Sequence, residues 1–253
     1  MTNIIAVLNQ KGGVGKTTTT LNLGAYLAKR GSSVLIVDLD PQGNATSGLS
    51  IDKQSLDSTV YDVLFSSVKA HQIVKDTAIN DLYILPANAQ LAAAEVDLAN
   101  EVRREFRLSD SLKDLEYDYI LIDCPPSLGL LSLNALTSAD YVLVPVQTEY
   151  YALEGLGQLL DIVQRVHGGL NPKLKLLGIV MTMFDSRTSL SQQVVDEVKK
   201  HFGAKLLDTI IPRNVRLAEA PSFGKTILEH DKWSKGARSY KSLAKEIDSR
   251  VKK

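Results

Sequence analysis

The chain has 253 residues, of which 44% are hydrophobic and 23% are charged, and its formal net charge is zero. This composition is typical of a soluble globular protein, and the zero net charge argues against a uniformly basic surface for nucleic acid. The single cysteine, Cys124, excludes intrachain disulfides and a multi-cysteine metal cluster. No apolar run approaches the roughly 20 residues of a membrane span.

The first predicted element is a strand over residues 4–8, which leads into the turn NQKGGVGKTTTT at residues 9–20. The turn contains three glycines, Gly12, Gly13 and Gly15. Glycines let a backbone curl so that successive N–H groups point at anionic oxygens, and the following helix adds its positive end. The combination predicts a phosphate-binding loop, with Lys16 on the β- and γ-phosphates of a nucleotide and the Thr17 hydroxyl on Mg²⁺.

A helix is predicted over residues 17–30, followed by a short apolar strand over residues 33–37. This strand delivers Asp38 and Asp40 to its carboxyl end, where open α/β sheets bind ligands. The polar, turn-forming segment PQGNATSGL comes next and can form a loop near the phosphates. A purely structural pair of carboxylates is the alternative interpretation.

A later apolar strand, residues 119–122, ends in Asp123 and is followed by two prolines that turn the chain. An apolar strand that ends in aspartate is the Walker B pattern, in which the carboxylate reaches Mg²⁺ through its water shell. Behind a phosphate loop this pattern is specific. Cys124 comes next and is expected to be a small buried residue.

Hydrophobic spacing predicts the remaining elements. Further strands are expected over residues 82–86, 141–146, 176–183 and 207–211. Further helices are expected over residues 60–65, 72–74, 90–98, 102–115 (with Val102 among its apolar anchors), 149–166, 190–202 and 235–251. Strand and helix alternate without an internal repeat, which predicts one mostly parallel sheet of seven or eight strands with helices on both faces.

The phosphate loop departs from the common pattern, because Gln10 stands where the first glycine is expected and Lys11 opens the turn. KGGVGKTT resembles the deviant Walker A signature of the ATPase class that contains ParA/Soj, MinD and the nitrogenase iron protein. VDLDPQGN, YILIDCPPSLG, YYALEGL and IPRNVRLAEAPSFGK extend the resemblance to Soj-type ParA partition ATPases over nearly the whole chain. It implies a single P-loop NTPase domain over residues 1–253, without an N-terminal helix-turn-helix extension.

The resemblance also assigns residues to the nucleotide. The phosphate contacts it implies are Lys11, Gly12, Gly13, Val14, Gly15, Lys16, Thr17 and Thr18. Near the adenine it implies Met183, Pro212 and Asn214. The metal side comprises Thr17, Asp40 and Asp123, with Asp38 in support, and the catalytic residues are Lys11, Lys16 and Asp40, of which Asp40 orients the attacking water.

Two further assignments concern surfaces. Lys11 and Gly12 are expected at a joint between two subunits, where Lys11 reaches the partner's phosphates and a glycine lets the loops approach. Arg187 and Arg216 are expected to contact DNA by their positions in the motifs. An ion pair of Arg216 with Glu219 and a plain surface arginine at 187 are the alternatives.

The resemblance implies a cycle in which the chain binds ATP and Mg²⁺ and closes into a homodimer. The homodimer binds double-stranded DNA without sequence preference, and it leaves the DNA when a ParB-like partner stimulates the slow hydrolysis of ATP. A cytoplasmic, nucleoid-associated protein with no membrane partner is expected. A MinD-like membrane-cycling ATPase is one alternative, but the apolar line on the last helix is narrow. A nucleotide-gated scaffold that positions cargo on the nucleoid is another, and a nitrogenase-type carrier does not fit the lone cysteine.

Overall fold

The computed structural model describes residues 2–149 and 152–252. Seven strands are found in that part of the chain: β1 (Asn3–Val7), β2 (Val34–Asp38), β3 (Lys75–Asp76), β4 (Leu82–Leu85), β5 (Tyr119–Asp123), β6 (Tyr141–Gln147) and β7 (Lys175–Thr182). They form one sheet in the order β3-β4-β2-β5-β1-β6-β7. Every pairing is parallel except that of β3 with β4. The predicted mostly parallel sheet is thus confirmed.

Helices fill most of the connections. Within the described residues they are α1 (Lys16–Ala28), α2 (Asn44–Gly48), α3 (Val60–Leu64), α4 (Ala70–Ile73), α5 (Ala94–Asp97), α6 (Arg107–Leu112), α7 (Leu130–Ser138), α8 (Ala152–Gly169), α9 (Ser189–Phe202), α10 (Val215–Glu219), α11 (Ile227–His230) and α12 (Lys235–Val251). Tyr150 and Tyr151, which the helix predicted over residues 149–166 includes, lie outside the described residues. No helix of the described part is long and apolar enough to cross a membrane.

Side chains of the central strand β1 alternate between two separate cores, because successive residues of a strand point to opposite faces. Ile5 and Val7 pack into a core with α1 and α12. Ala6 and Leu8 pack into the other core with α7, α8 and α9. Helices therefore cover both faces of the sheet, as the continuous apolar strands predicted. The predicted apolar line of α12 belongs to the first core, with Tyr240, Leu243 and Ile247 fully buried.

The carboxyl ends of β1, β2 and β5 meet at one edge of the sheet. The register pairs Val7 with Asp123 and Asp38 with Asp123 across neighbouring strands. This register places the turn after β1, the carboxylates after β2 and the Walker B aspartate side by side. Sequence positions more than a hundred residues apart are thus brought into one site.

The strand predicted over residues 207–211 is wrong. The segment runs beside β7, but the β-bridges there are isolated ones that lie on either side of residues 207–211. They join Ile179 with Leu206 and Phe184 with Pro212. The backbone N–H groups of Asp208 and Thr209 are bound by the carboxylate of Glu246 on α12, at 2.9 and 3.0 Å. Because these donors point at a side chain, they cannot continue a strand ladder.

The helix predicted over residues 102–115 is shorter than expected, since only α6 forms there. Arg103 has a φ of +57°, a left-handed conformation that an α-helix interior does not contain. Val102, expected to anchor the helix, is 79% exposed, whereas Leu112 and Leu115 are buried as predicted. The short antiparallel strand β3 was not predicted, because two exposed residues carry no strand pattern.

Candidate functional site

The turn between β1 and α1 is tied to the neighbouring strands β6 and β7 by side-chain hydrogen bonds. The Asn9 side chain donates to a carbonyl of β6 at 2.7 Å and accepts the Lys11 N–H at 3.0 Å. The Thr182 hydroxyl, at the end of β7, donates to the Val14 carbonyl at 2.8 Å. The loop is therefore fixed by the sheet before any ligand binds.

Glycine is required at two positions of this loop by the backbone itself. Gly13 and Gly15 have φ values of +76° and +88°, which strain residues with a side chain. Gly12 differs, because its φ is not in the left-handed range and a Cβ built there meets no atom within 4 Å. Nothing in the described part of the chain demands a glycine at position 12.

Lys16 is buried at the start of α1, with 7% of its surface exposed. Its ammonium donates to the Lys11 carbonyl at 2.9 Å, so it lies across the mouth of the loop. Burial lowers the pKa of Lys16, and the nearby Asp123, Cys124 and Asp40 oppose this shift. A cation held this way in a turn of inward-facing N–H groups is suited to bind a phosphate.

Asp123 is fully buried at the end of β5, and one of its oxygens has no partner. Oδ1 accepts the Thr20 hydroxyl at 3.1 Å, whereas Oδ2 has no hydrogen-bond donor among residues 2–149 and 152–252. Burial, reinforced by the neighbouring Asp38, raises the pKa of Asp123 to about 8, and the hydrogen bond from Thr20 opposes the rise. A buried carboxylate with a vacant oxygen beside a threonine hydroxyl fits a hard divalent cation.

Asp38 is also fully buried, but the chain itself occupies its carboxylate. One oxygen accepts the N–H and hydroxyl of Thr46 at 2.8 and 2.7 Å, and the other accepts the Asp40 N–H at 3.3 Å. The Thr46 hydroxyl in turn accepts the Ala87 N–H at 2.9 Å. Burial raises the pKa of Asp38. Asp38 thus holds the loop after β2, and any support it gives to a metal acts through that loop.

Asp40 lies at the head of the same loop and is 8% exposed. Its Oδ1 accepts the Gln42 N–H at 2.9 Å, which fixes the orientation of the carboxylate. Its charge acts on Lys16, so the two side chains share one site. The structure therefore brings together the four polar side chains predicted for the phosphate and metal side, namely Lys16, Thr17, Asp40 and Asp123.

A cavity of about 380 Å³ opens beside the start of α1. Gly15 and Thr18 line it together with Met183, Pro212 and Asn214, the three residues that were expected near an adenine. Its size is that of a small-ligand site. Sequence reasoning missed one lining residue of α12, Tyr240, whose hydroxyl is 3.2 Å from the Thr19 hydroxyl.

Lys11 is held by its own chain. Its ammonium forms an ion pair with Glu149, which follows β6 and was not predicted as a site residue. About half of the Lys11 side chain and a third of the Glu149 side chain remain exposed, at 52% and 30%. Such an exposed pair is weak, so a stronger anion can displace it.

The two arginines expected to contact DNA lie outside this site, and both are paired. Arg187 forms a bidentate contact with Asp185 at 2.9 and 2.7 Å and holds the pKa of that carboxyl well below its usual range. Arg216, on α10, contacts Glu219 at 2.9 Å, which is the ion pair that the sequence left open. Cys124 is fully buried, and burial raises the pKa of its thiol.

The fold and the loop define a class, the phosphate-loop nucleotide-binding proteins, and residues 2–176 match the family described as AAA domain. The chain is 55% identical to the sporulation initiation inhibitor protein Soj of Bacillus subtilis, over 98% of each chain. It is 53% identical to the chromosome partitioning protein ParA of Myxococcus xanthus, over 98% of this chain and 88% of that protein. The chain belongs to the Soj/ParA family of chromosome-partitioning ATPases.

A solved structure is similar to this chain over the chain's full length. It is the cobyrinic acid a,c-diamide synthase of Mycobacterium smegmatis with bound ADP and magnesium, with a TM-score of 0.89 and 40% identity. The similarity covers 100% of this chain and 96% of that one. The likeness extends to a protein that binds a nucleotide and a metal on this fold.

Proposed function

We propose that this chain, as one ATPase domain, binds ATP and Mg²⁺ and hydrolyses ATP to switch between a DNA-bound dimer and a free state. The observation that supports this best is the unpartnered buried oxygen of Asp123, which lies beneath the phosphate loop. A buried carboxylate without a partner is costly unless a cation binds there. ATP brings such a cation with its phosphates.

Each side chain of the site has a distinct task. Lys16 and the loop N–H groups bind the β- and γ-phosphates, while Thr17 and Asp123 would hold the metal, which stabilises charge on the transferred phosphoryl group. Asp40 holds the attacking water in line and accepts its hydrogen bond. The cavity between Thr18 and Pro212 takes the base.

Dimer closure is proposed to occur over the exposed face of the phosphate loop. Lys11 and Gly12 are both exposed, and Lys11 can exchange Glu149 for the phosphates of a second subunit. If a partner supplies this catalytic cation, turnover in the free subunit should be slow, because charge stabilisation is incomplete without it.

DNA binding is proposed for the surface that carries Arg187 and Arg216 after the dimer has formed. Their present ion pairs with Asp185 and Glu219 are exposed, and a DNA phosphate can compete for the guanidinium groups. A local patch doubled by dimerisation accounts for DNA affinity at zero net charge. A ParB-like partner is proposed to stimulate hydrolysis and so release the dimer.

The decisive experiment is binding of fluorescent double-stranded DNA with ATP, with ADP and without nucleotide. We expect binding with ATP alone, equal for unrelated sequences and falling steeply with salt. Arg216→Ala should weaken binding and reduce the salt slope by about one, and Arg165→Ala, on α8, serves as the control. DNA affinity that is the same with ATP, with ADP and without nucleotide would refute the proposal, and so would a lack of DNA binding in all three conditions.

The other candidate functions have less support. A MinD-like membrane cycle needs an apolar face on the last helix, but Tyr240, Leu243 and Ile247 of α12 are buried against the sheet side of the molecule. Sedimentation with liposomes in the presence of ATP would reveal such a cycle. No observation at this site favours the synthase activity named for the structural relative. A nitrogenase-type carrier needs cysteine ligands, and the one cysteine, Cys124, is buried.

A further inference from the structure

Lys53 lies in the segment between α2 and α3, and no motif accounts for it. Its ammonium donates to the Gln42 carbonyl at 2.7 Å. The N–H of the same residue, Gln42, donates to Oδ1 of Asp40 at 2.9 Å. A lysine outside the site is thus connected through one residue to the carboxylate proposed to orient the attacking water.

The stem of Lys53 also packs against this loop. Gly43 has a φ of +60°, and a Cβ built there would lie 2.5 Å from Lys53 Cδ and 2.9 Å from the Ala87 carbonyl oxygen. The loop is therefore confined between the lysine stem on one side and the backbone after β4 on the other. Thr46 fixes the far end of the loop on Asp38.

Lys53 is directed at a backbone carbonyl and not at a carboxylate. The lysines that form ion pairs within the described residues are Lys11, Lys113, Lys200 and Lys252. Lys53 is instead half-buried and directed at a neutral carbonyl. A cation on the Gln42 carbonyl polarises the peptide group shared with Gly43, whose N–H donates to the Asp40 backbone carbonyl at 2.8 Å, and so strengthens the turn that carries Asp40.

We propose that Lys53 is a positioning residue for ATP hydrolysis, which fixes the Gln42 backbone so that Asp40 keeps the orientation needed for the attacking water. This inference rests on the proposed role of Asp40. Lys53 touches neither nucleotide nor metal in this role, so it acts on turnover and not on affinity.

The first test compares hydrolysis at saturating ATP for the wild type, Lys53→Met and Lys53→Arg. We expect Lys53→Met to lower kcat by about threefold to tenfold, the size of one charge-assisted hydrogen bond discounted for exposure, with unchanged affinity for a fluorescent ATP analogue. Lys53→Arg should recover most of the loss. Lys75→Met, on the exposed strand β3, is the matched control, and Lys53→Gln replaces Lys53→Met if that variant does not fold.

The second test repeats Lys53→Met in an Asp40→Ala background, with single-turnover hydrolysis of labelled ATP. If Lys53 acts through Asp40, it should have no further effect there. An equal loss in both backgrounds, or no loss in the wild type, would overturn the inference. Undiminished hydrolysis by Asp40→Ala alone would instead refute the proposed role of Asp40.

Discussion

Three ionisable side chains, Lys16, Asp38 and Asp123, are buried beside one another where the central strands end. Burial shifts the pKa of each towards its neutral form, down for Lys16 and up for the two carboxyls. Burial of the charged forms of these groups therefore costs free energy in the unliganded protein. Phosphate and a cation, the two ions that would relieve the cost, are the parts of a metal-bound nucleotide.

The first prediction concerns Lys16. Replacing it with alanine should lower ATP affinity by about 10- to 100-fold, the value of a lost charge-assisted contact. The unliganded variant should melt no lower than the wild type, because the fold disfavours the charge that is removed. Titration with a fluorescent ATP analogue and a thermal melt measure the two effects, with Lys29→Ala, at the exposed end of α1, as the control. Unchanged affinity would contradict the phosphate assignment.

The second prediction concerns pH and Asp123. The folded-state pKa is raised to about 8, so the stability contributed by the protonated carboxyl is fully present below pH ~4, the unfolded value. It is lost as the pH rises towards 8. Unliganded Asp123→Asn should therefore be more stable than the wild type at pH 8, and the gap should narrow at pH 5.5.

Thermal melts in EDTA at the two pH values test this sign. Added Mg²⁺ and ATP should raise the wild-type melting temperature at pH 8 much more than that of Asp123→Asn, because the asparagine lacks the charge that holds the cation. If Asp123→Asn is less stable than the wild type by the same amount at both pH values, Asp123 is ionised in the unliganded protein.

At the scale of elements, α12 fixes the segment that lines the cavity. Glu246 binds the N–H groups of Asp208 and Thr209 and also contacts Arg250 at 3.1 Å. This capture directs the chain towards Pro212 and Asn214 on the cavity wall. One carboxylate on the last helix thus positions residues proposed to contact the base.

The third prediction follows from this capture. Glu246→Ala leaves the N–H groups of Asp208 and Thr209 without their acceptor and removes one ion pair of Arg250, and the Glu246 side chain is only 15% exposed. The free energy of unfolding should fall by about 1–3 kcal/mol, and ATP affinity should fall as well. Urea unfolding measures the first effect. Lys245→Ala, the exposed neighbour on α12, should change neither, and an equal loss in both variants would contradict the role of the carboxylate.

The same elements show what the sequence could and could not predict. The strands ending at Val7, Asp38 and Asp123 were predictable because buried parallel strands are locally apolar, and the loop residues because their spacing is short. Residues 207–211 are apolar at Leu207, Ile210 and Ile211, which suggested a strand, yet a glutamate far along the chain binds the backbone between them. Contacts of Lys53 and Tyr240 likewise depend on tertiary packing, which leaves no local pattern.

At the scale of the whole molecule, two features of the phosphate loop concern its exposed rim and not the interior of the subunit. Lys11 is turned onto Glu149 and lies at the exposed rim of the phosphate loop. Gly12 beside it is a glycine that its own chain does not require. Both features are explained if a second subunit closes over this rim, where a side chain at position 12 would separate the two loops.

The fourth prediction tests that explanation with Gly12→Val. The variant should fold and bind an ATP analogue as the wild type does, because a Cβ at position 12 meets no described atom within 4 Å. It should, however, stay monomeric with ATP and lose ATP-dependent DNA binding. Sedimentation velocity with and without ATP measures closure. Gly168→Val, an equally open position near the far end of α8, should dimerise normally. A normal ATP-dependent dimer of Gly12→Val would place the joint elsewhere on the molecule.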